Sequence, residues 1–292
     1  MSKNIFWMRI LIAIVLSMPV VTFSQEDRVV QAAIEIFKSQ VRLPPGTDIK
    51  FIEKKESPIP DFFAVKLLII LPDKEMPVMV YVDKTGEKVI IGNLFVKGEN
   101  MTVKEAGPPR PKKIDMGILE IEKSPFIGSR NSKVTIVEFS NFQCPYCMES
   151  WVNLQKLIQK HPQEMRYIFK HFPLQPQGKT FELSEMAAAG QEVNNEAFWL
   201  IHDFFFTEEG QSVMSLEKEV IKQKIGQLLK GKGYEIQVFQ SALETGKAKK
   251  RVLDDIAVGN RIRITGTPTK IVNGDMIIGS SQDNALERYL IR

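Results

Sequence analysis

The chain is most constrained by a β-branched run that leads into a pair of cysteines. Residues 133–139, K-V-T-I-V-E-F, are typical of a strand buried on both faces. The motif C-P-Y-C follows shortly afterwards and contains Cys144 and Cys147, the only cysteines in 292 residues. Apolar residues then recur at helical spacing, and residues 165–169 form a second predicted strand. This order predicts a βαβ unit.

The rest of the C-terminal half predicts a helical insertion, a hairpin and a last helix. Residues 180–260 are mostly helical in pattern. The pair Asn273-Gly274 lies between two short apolar runs, which is a strong hairpin signal. A closing helix is predicted from Gln282 to Leu290. We therefore predict one α/β domain, with its helical insertion, over residues 118–292.

Residues 25–106 predict a small α+β domain made of one helix and an antiparallel meander. Val29 to Phe37 shows helical spacing, and three or four strand-like runs follow between Ile49 and Val96. This part has no cysteine and no histidine, so its predicted role is packing, dimerisation or substrate contact. Residues 107–117 are rich in proline and predict a semi-stiff linker to the second domain.

Residues 1–24 have the three-part layout of a secretory signal peptide. Two basic residues precede an apolar run, and Thr22 and Ser24 are small residues before a possible cleavage site. The unbroken apolar run is shorter than the roughly 20 residues of a spanning helix. We therefore predict export to the periplasm or another extracytoplasmic space, with an uncleaved membrane anchor as the alternative. Disulfides persist in such an oxidising compartment.

The charge balance gives no sign of a nucleic-acid partner. The chain has 39 lysine and arginine residues against 35 aspartate and glutamate residues, a formal net charge of +4. The basic residues are spread along the sequence, and the run from Lys247 to Arg251 is typical of a solvated helix face.

The position of the cysteine pair between a predicted strand and a predicted helix favours a working redox pair. Free N–H groups at a helix start stabilise an anion, so the thiolate of Cys144 is favoured. Pro145 suits the first helical turn. Cys147, one turn further in, is near enough to attack a mixed disulfide formed at Cys144.

Two other uses of the cysteine pair stay open on the residues alone. A zinc site needs two further ligands, and the spacing of His161, His171 and His202 does not fit the usual pattern. A structural disulfide across this spacing closes only a tiny loop and removes little unfolded-chain entropy. Redox chemistry is favoured over both, and the sequence predicts no metal and no cofactor.

A second motif lies more than a hundred residues after the cysteines. Thr267-Pro268 precedes the predicted hairpin, and a proline at a strand start is compatible with a cis peptide bond. The stretches V-E-F-S-N-F-Q-C-P-Y-C (137–147) and G-T-P-T-K-I-V-N-G (266–274) together resemble the DsbA-like thioredoxin-fold proteins of the bacterial envelope.

This resemblance implies a thioredoxin-like fold with a helical insertion for the second domain. It also implies that Cys144 is the nucleophile, that Cys147 is the resolving thiol, and that Pro268 is a cis-proline beside them. Thr267 is then a substrate contact, because substrate peptides of the family pair with the backbone next to that proline. The motif residues Pro145 and Tyr146 complete the predicted substrate contacts.

Glu138 is a further candidate for the active site. A carboxylate inside an apolar strand is costly unless it has a role or a partner. Glu138 is close enough to the cysteine turn to relay a proton to or from Cys147, and the family resemblance implies a buried acid at this place. The alternative is a solvated or salt-bridged carboxylate, with Lys170 as a possible partner.

The layout of the front domain is similar to that of the periplasmic isomerases related to DsbC and DsbG. The similarity predicts a homodimer through residues 25–106, although the linker here is not an evident long helix. The predicted partners are cysteine-containing envelope proteins and an unidentified redox partner in the membrane. Oxidase and isomerase activity both stay open, and a non-catalytic chaperone or binding module is the alternative function.

Overall fold

The structure is a computed structural model that describes residues 25–72, 74–175, 177–280 and 286–290. The predicted signal segment and residues 282–285 of the predicted closing helix lie outside these ranges. The strands are β1 (Asp48–Glu56), β2 (Phe62–Ile70), β3 (Lys74–Asp83), β4 (Val89–Ile90), β5 (Phe95–Val96), β6 (Glu99–Asn100), β7 (Arg110–Pro111), β8 (Phe126–Gly128), β9 (Val134–Ser140), β10 (Met165–His171), β11 (Thr269–Val272) and β12 (Asp275–Ile278).

The α-helices are α1 (Gln25–Gln40), α2 (Met101–Ala106), α3 (Pro145–Lys160), α4 (Lys179–Val193), α5 (Asn195–Phe205), α6 (Glu208–Val213), α7 (Lys218–Gly231), α8 (Ile236–Glu244), α9 (Lys247–Arg261) and α10 (Glu287–Leu290). Short 3-10 helices lie at Met116–Leu119 and Ile121–Lys123. Within the described ranges, none of the helices combines the length and the apolar character that a membrane crossing needs.

The chain divides into two compact units. The first comprises the described residues up to Arg42, together with Phe51–Leu67 and Met79–Glu105. The second comprises Leu43–Lys50, Leu68–Val78 and the described residues from Ala106 onward.

The N-terminal strands form a sheet in the order β1-β2-β3-β4, with β7 paired with β3. The pairings of β3 with β4 and with β7 are antiparallel. In α1, Val29, Ala33 and Phe37 are buried, as a four-residue apolar spacing on one helix face predicts. In β2, Val65 and Leu67 are fully buried. One helix before an antiparallel sheet confirms the α+β class predicted for this part.

A second sheet has the strand order β12-β11-β9-β10-β8, with β9 in the middle. Strands β9 and β10 are parallel and joined through α3, which confirms the predicted βαβ unit. Strand β11 lies antiparallel on the other side of β9 and forms the predicted hairpin with β12. Helices α4 to α9 occupy the connection between β10 and β11, where the helical insertion was predicted.

Strand β9 is buried because the sheet has an apolar core on each face. Ile136 belongs to the larger core, together with Trp151 of α3. Phe139 belongs to a second core, together with Val258 of α9. Both faces of the strand therefore need apolar side chains, which explains why the run is nearly continuous instead of alternating.

The proline-rich segment after α2 runs along the outer side of β12. The N–H of Met276 donates to the carbonyl of Lys112 at 2.9 Å, and the N–H of Ile114 donates to the carbonyl of Gly274 at 2.7 Å. Just before this, β7 pairs with the start of β3. Residues 110–114, which lie in the segment predicted as a linker, thus make regular strand-like hydrogen bonds.

Two histidines lie inside an aromatic cluster of the second unit. His171, at the end of β10, and His202, in α5, are both fully buried. The ring of Phe142 contacts both, with centroid distances of 6.2 Å to His171 and 5.7 Å to His202. Among the described residues, neither ring nitrogen of His171 has a hydrogen-bond partner. Burial is the main reason that the pKa of His171 falls to about 3, and nearby positive charges lower it further.

Acidification is expected to destabilise the protein through His171. The pKa of His171 is 6.5 in the unfolded chain and about 3 in the folded protein. The contribution of neutral His171 to the free energy of unfolding is therefore fully present above pH 6.5 and is lost as the pH falls from 6.5 to about 3. The loss from this group at about pH 4.5 is ~3 kcal/mol. Urea unfolding at about pH 8 and about pH 4.5 should show a correspondingly smaller acid loss in His171→Phe. Equal acid losses in both proteins would contradict this assignment.

Candidate active site

The start of α3 places the two cysteines. Cys144 is the N-cap residue, with an extended backbone (φ −90°, ψ 116°), and Pro145 is the first helical residue. The N–H groups of Cys147 and Met148 donate to the carbonyl of Cys144 at 3.0 and 3.2 Å. Both cysteines are free thiols, and Cys144 is partly exposed whereas Cys147 is fully buried. Of the two sulfurs, only that of Cys144 is open to a substrate.

The segment before β11 forms the opposite side of the site. The peptide bond between Thr267 and Pro268 is cis. When Cys144 is protonated, its thiol donates to the carbonyl of Thr267, with a sulfur–oxygen distance of 3.3 Å. Strand β11 begins at the next residue, Thr269, which lies opposite Phe139 of β9. The sheet register therefore brings the proline segment to the end of β9 that leads into the cysteines.

Cys144 has a strongly lowered pKa. The main cause is the thiol of Cys147, which hydrogen-bonds to the Cys144 sulfur and brings the pKa of Cys144 to about 5. Partial burial opposes this effect, and the Thr267 side chain and the N–H groups of Cys147 and Tyr146 add to it. The Thr267 hydroxyl has no hydrogen-bond partner of normal geometry among the described residues, and it acts on Cys144 as a nearby dipole. At neutral pH Cys144 is therefore a thiolate.

The pKa of Cys147 is shifted in the opposite direction to that of Cys144. Burial is the main cause that raises the pKa of Cys147, and the neighbouring Cys144 sulfur and the charge of Glu138 raise it further. The N–H of Asn141 lies 3.5 Å from the sulfur and donates to it. Cys147 is therefore a thiol at neutral pH, so that the reduced pair consists of one thiolate and one thiol.

Glu138 lies on β9 and is almost completely buried. The hydroxyl of Ser150, in α3, donates to Oε2 of Glu138 at 2.8 Å. Lys270 lies directly opposite Glu138 on β11, and its Nζ is 3.8 Å from the same carboxylate oxygen. The charge of Glu138 acts on the pKa of Cys147, so the carboxylate is within electrostatic reach of the buried sulfur.

Lys170, which the sequence suggested as a partner of Glu138, has a different partner. Its Nζ forms an ion pair with Asp255 of α9 at 2.8 Å. The parallel register sets Phe169 opposite Glu138 and Lys170 opposite Phe139. Since side chains alternate along a strand, Lys170 points to the other face of the sheet, and the suggested pairing was wrong.

Sequence reasoning missed two residues of this buried polar group, Lys270 and Ser150. A signal existed for Lys270, because a lysine in the short apolar run T-K-I-V is as unusual as Glu138 in V-T-I-V-E-F. Ser150 gave no signal, since a serine on a helix is ordinary at any degree of burial.

The predicted substrate contacts lie around the exposed sulfur. Pro145 is exposed, the side chain of Tyr146 is 63% exposed, and Thr267 is half-buried. By contrast, Trp151 is buried, and the rings of Phe205 and Phe206 pack against the ring of Phe142. The aromatic residues near the motif therefore belong mainly to the core.

The fold and the site together define a class of protein. A cysteine thiolate at a helix start, a buried thiol one turn later and a cis-proline opposite them are the parts of a thioredoxin-like redox site. A family model described as thioredoxin matches residues 120–291. The chain belongs to this thioredoxin family.

Several known proteins are similar to this chain. The Na(+)/H(+) antiporter NhaA 3 of Salinispora tropica is 26% identical over 149 residues, which are 50% of this chain and 21% of the antiporter. The probable disulfide bond formation protein D of Bacillus anthracis is 25% identical over 162 residues, which are 51% of this chain and 70% of that protein. The crystal structure of oxidised BdbD from Bacillus subtilis matches with a TM-score of 0.51 at 19% identity, covering 59% of this chain and 96% of BdbD.

These matches confirm the resemblance to the DsbA-like proteins for the second unit. The likeness to BdbD is a likeness of fold, and the chain spans only about a fifth of the length of the antiporter relative. The family model begins at residue 120, so the similarity of residues 25–106 to the DsbC and DsbG isomerases stays a prediction.

Replacing Cys147 with alanine is expected to raise the pKa of Cys144. The change removes the thiol that contributes most to the low value, so the midpoint should rise from near 5 by about one unit or more. Cys147→Ser, which keeps a hydroxyl donor, is the matched control and should shift the midpoint less. Thiolate absorbance during a pH titration of the reduced protein gives the midpoint. A wild-type midpoint near the free-cysteine value of about 8.5 would contradict the electrostatics described above.

Proposed function

We propose that the protein is a thiol–disulfide oxidoreductase that exchanges disulfides with cysteine-containing proteins of the cell envelope. The observation that carries this proposal is the difference between the two sulfurs. Cys144 is partly exposed with a pKa of about 5, whereas Cys147 is buried with a raised pKa. Membership of the thioredoxin family and the similarity to a probable disulfide bond formation protein support the same chemistry.

The exchange takes two steps when the pair starts as a disulfide. A substrate thiolate attacks the sulfur of Cys144, the Cys144–Cys147 bond breaks, and the electron pair stays on Cys147, which then takes up a proton. A second substrate thiolate attacks the substrate sulfur of this mixed disulfide, so that a substrate disulfide forms and Cys144 leaves as a thiolate. The low pKa of Cys144 makes it a good leaving group.

Other residues of the site are assigned supporting roles in this exchange. Glu138 gives a proton to Cys147 or takes one from it. Pro268 holds the backbone at Thr267 against Cys144, and the carbonyl of Thr267 receives the substrate backbone once Cys144 is engaged. Tyr146 and Pro145 contact the substrate from the helix side.

The low pKa of Cys144 favours the oxidase direction. A stable thiolate stabilises the reduced protein, so the disulfide form is a strong oxidant. We propose that the protein acts in the periplasm or another extracytoplasmic space, and that a redox partner in the membrane reoxidises the cysteine pair.

Isomerisation is the second candidate activity, and the N-terminal unit favours it. This unit exposes several large apolar side chains, namely those of Phe51, Ile52, Ile90, Phe95 and Val103. Exposed apolar surface suits contact with a second copy or with a misfolded substrate. We propose that residues 25–106 mediate a homodimer.

Cys144→Ser is expected to abolish disulfide transfer to a reduced, unfolded model protein, because the exposed sulfur is the one that a substrate reaches. Cys147→Ser should instead react with a protein disulfide and stop at the mixed disulfide, since the resolving thiol is missing. Electrophoresis without reductant measures both outcomes. Full transfer by Cys144→Ser would falsify the proposal, and a wild-type protein that binds unfolded chains without exchange would favour the chaperone alternative.

The proposed homodimer predicts a particle of twice the chain mass in static light scattering. Phe95→Glu places a charge on an exposed apolar side chain of the N-terminal unit and should shift the mass towards that of one chain. Val238→Glu, at an exposed apolar position on α8, is the matched control and should leave the dimer intact. A wild-type protein with the mass of one chain at every concentration contradicts the proposed homodimer.

A further inference from the structure

Arg166 is a buried cation that the proposed exchange does not use. It is the second residue of β10, and its relative exposure is 6%. Its Nε and Nη2 atoms are buried, and neither has a hydrogen-bond partner among the described residues. A buried donor without an acceptor has lost its contact with water and gained no bond in exchange, and this loss is larger for a charged group. Arg166 therefore lacks the acceptor that its burial requires.

A second arginine of the same unit shows how such a guanidinium is normally satisfied. In α9, Nε and Nη2 of Arg251 both donate to one carboxylate oxygen of Glu192, and Nη1 donates to the carbonyl of Lys123. The Nε–H and Nη2–H bonds of an arginine point in the same direction and form a fork that fits one carboxylate or phosphate group. The same fork of Arg166 has no acceptor within the part of the chain that the structure describes.

The neighbouring strands supply no charge that balances Arg166. Gly128 of β8 lies opposite it on one side, and Thr135 of β9 lies opposite it on the other. An opposite charge in one of these positions would stabilise the cation. Glycine has no side chain and threonine is neutral, so neither strand provides that charge.

A second cation lies close to the first. The guanidinium of Arg130 lies over the ring of Phe126, 4.4 Å from its centroid, and that of Arg166 lies over the same ring at 5.0 Å. Burial lowers the pKa of Arg166, the charge of Arg130 lowers it further, and Glu122 opposes both effects. The face of an aromatic ring attracts a cation but offers it no acceptor oxygen. Two like charges thus share one ring, and an anion beside them would relieve their repulsion.

Glu122 does not fill the fork of Arg166. Its carboxylate lies 3.8 Å from Nη1 of Arg130, and its side chain is 79% exposed. Exposed ion pairs of this kind are weak and are screened by salt. The side chain of Arg130 is itself 57% exposed. A small ligand can therefore reach the fork by displacing exposed side chains, without opening the core.

The ring below the two cations is held in place by hydrogen bonds. The N–H of Phe126 donates to Oδ1 of Asn195 at 2.9 Å. The carbonyl of Phe126 accepts from Nδ2 of Asn195 and from Nε1 of Trp199, each at 3.0 Å. Strand β10, which carries Arg166, is paired on both sides. Groups that are fixed before a ligand arrives lose less entropy when it binds.

We propose that Arg166 and Arg130 form a binding site for a small free oxyanion of the phosphate or carboxylate class. The fork of Arg166 donates to two oxygens of the anion, and the more exposed Arg130 contacts it from the solvent side. The burial of Nε and Nη2 favours a small free anion over a lipid headgroup, because a headgroup held in a membrane surface does not reach atoms below the protein surface.

This site is separate from the cysteines. The parallel register sets Arg166 opposite Thr135, near the start of β9, whereas the cysteine loop follows the end of β9 at Ser140. The step from Thr135 to Ser140 spans ~17 Å along an extended strand. Anion binding is therefore independent of the thiol chemistry, and it should be retained in Cys144→Ser.

The test measures thermal unfolding of the full reduced chain in inorganic phosphate, and separately in succinate, with sodium chloride added to keep the ionic strength constant. With one anion or both, the wild-type midpoint should rise and saturate, by about 3 °C or more at about ten times Kd. Arg166→Met should lose this saturating rise and keep the unsaturated stabilisation that such salts give to proteins in general. Equal rises in the two proteins, or no saturation of the wild type with either anion, would overturn the inference.

Arg251→Met is the matched control. It removes an arginine whose fork Glu192 already fills, so the variant should be less stable than the wild type and still show the saturating rise. If Arg251→Met lost the saturating rise as Arg166→Met does, the inference would be overturned, because removal of any partly buried arginine would then have the same effect.

A variant at the exposed member of the pair keeps the inference testable if Arg166→Met does not fold. Arg130→Gln removes a charge at the surface and should leave the fold intact. Its Kd for phosphate, measured from the broadening of the phosphorus NMR signal, should rise about tenfold, since a hydrogen bond to a charged partner is lost. An unchanged Kd overturns the inference.

Vesicles containing phosphatidylglycerol distinguish a free anion from a lipid headgroup. Flotation of the wild type with these vesicles should be the same as flotation of Arg166→Met and Arg130→Gln. Vesicle binding that is strong in the wild type and lost in Arg130→Gln would overturn the assignment to a small free anion.

Discussion

The antiparallel pairing of β11 with β9 positions the reacting groups of the site. It sets Thr269 opposite Phe139 and Lys270 opposite Glu138, and it brings the cis-proline segment beside the loop that carries the cysteines. A slip of one residue would turn Glu138 away from α3 and towards the second core. Because β9 contributes to apolar cores on both faces, such a slip would misplace side chains in each of them. The chemistry of the cysteines thus depends on a strand that contains neither of them.

The start of α3 makes two identical side chains chemically different. Cys144, at the N-cap, is stabilised as a thiolate by a thiol and by N–H groups, which outweigh the effect of its partial burial, whereas Cys147 is fully buried. The hydrogen bond between the two sulfurs links these states, because the proton held by Cys147 is the one that stabilises the charge on Cys144. The reactivity of the partly exposed Cys144 therefore depends on the burial of Cys147, which lies one helical turn further along α3.

Local features of the fold could be predicted from the sequence, and features that depend on strand pairing could not. The βαβ unit follows from a β-branched run and helical spacing, and the hairpin follows from Asn273-Gly274. The choice between Lys170 and Lys270 as the lysine beside Glu138 depends on two registers that only the folded sheet defines. Within the predicted helical insertion, α6 could not be recognised as a separate helix, because its six residues are too few to show a helical period.

The segment at residues 110–114 has a consequence for a protein whose proposed partners are unfolded chains. An outermost strand with unpaired backbone groups is a template on which other polypeptides can add and aggregate. Met276 of β12 and Gly274, just before this strand, already bond to Lys112 and Ile114, so the protein covers that template with its own chain. The covering segment is itself paired with β3 through Arg110 and Pro111. A client chain that reaches this flank of the sheet finds the hydrogen-bonding positions at Gly274 and Met276 already occupied.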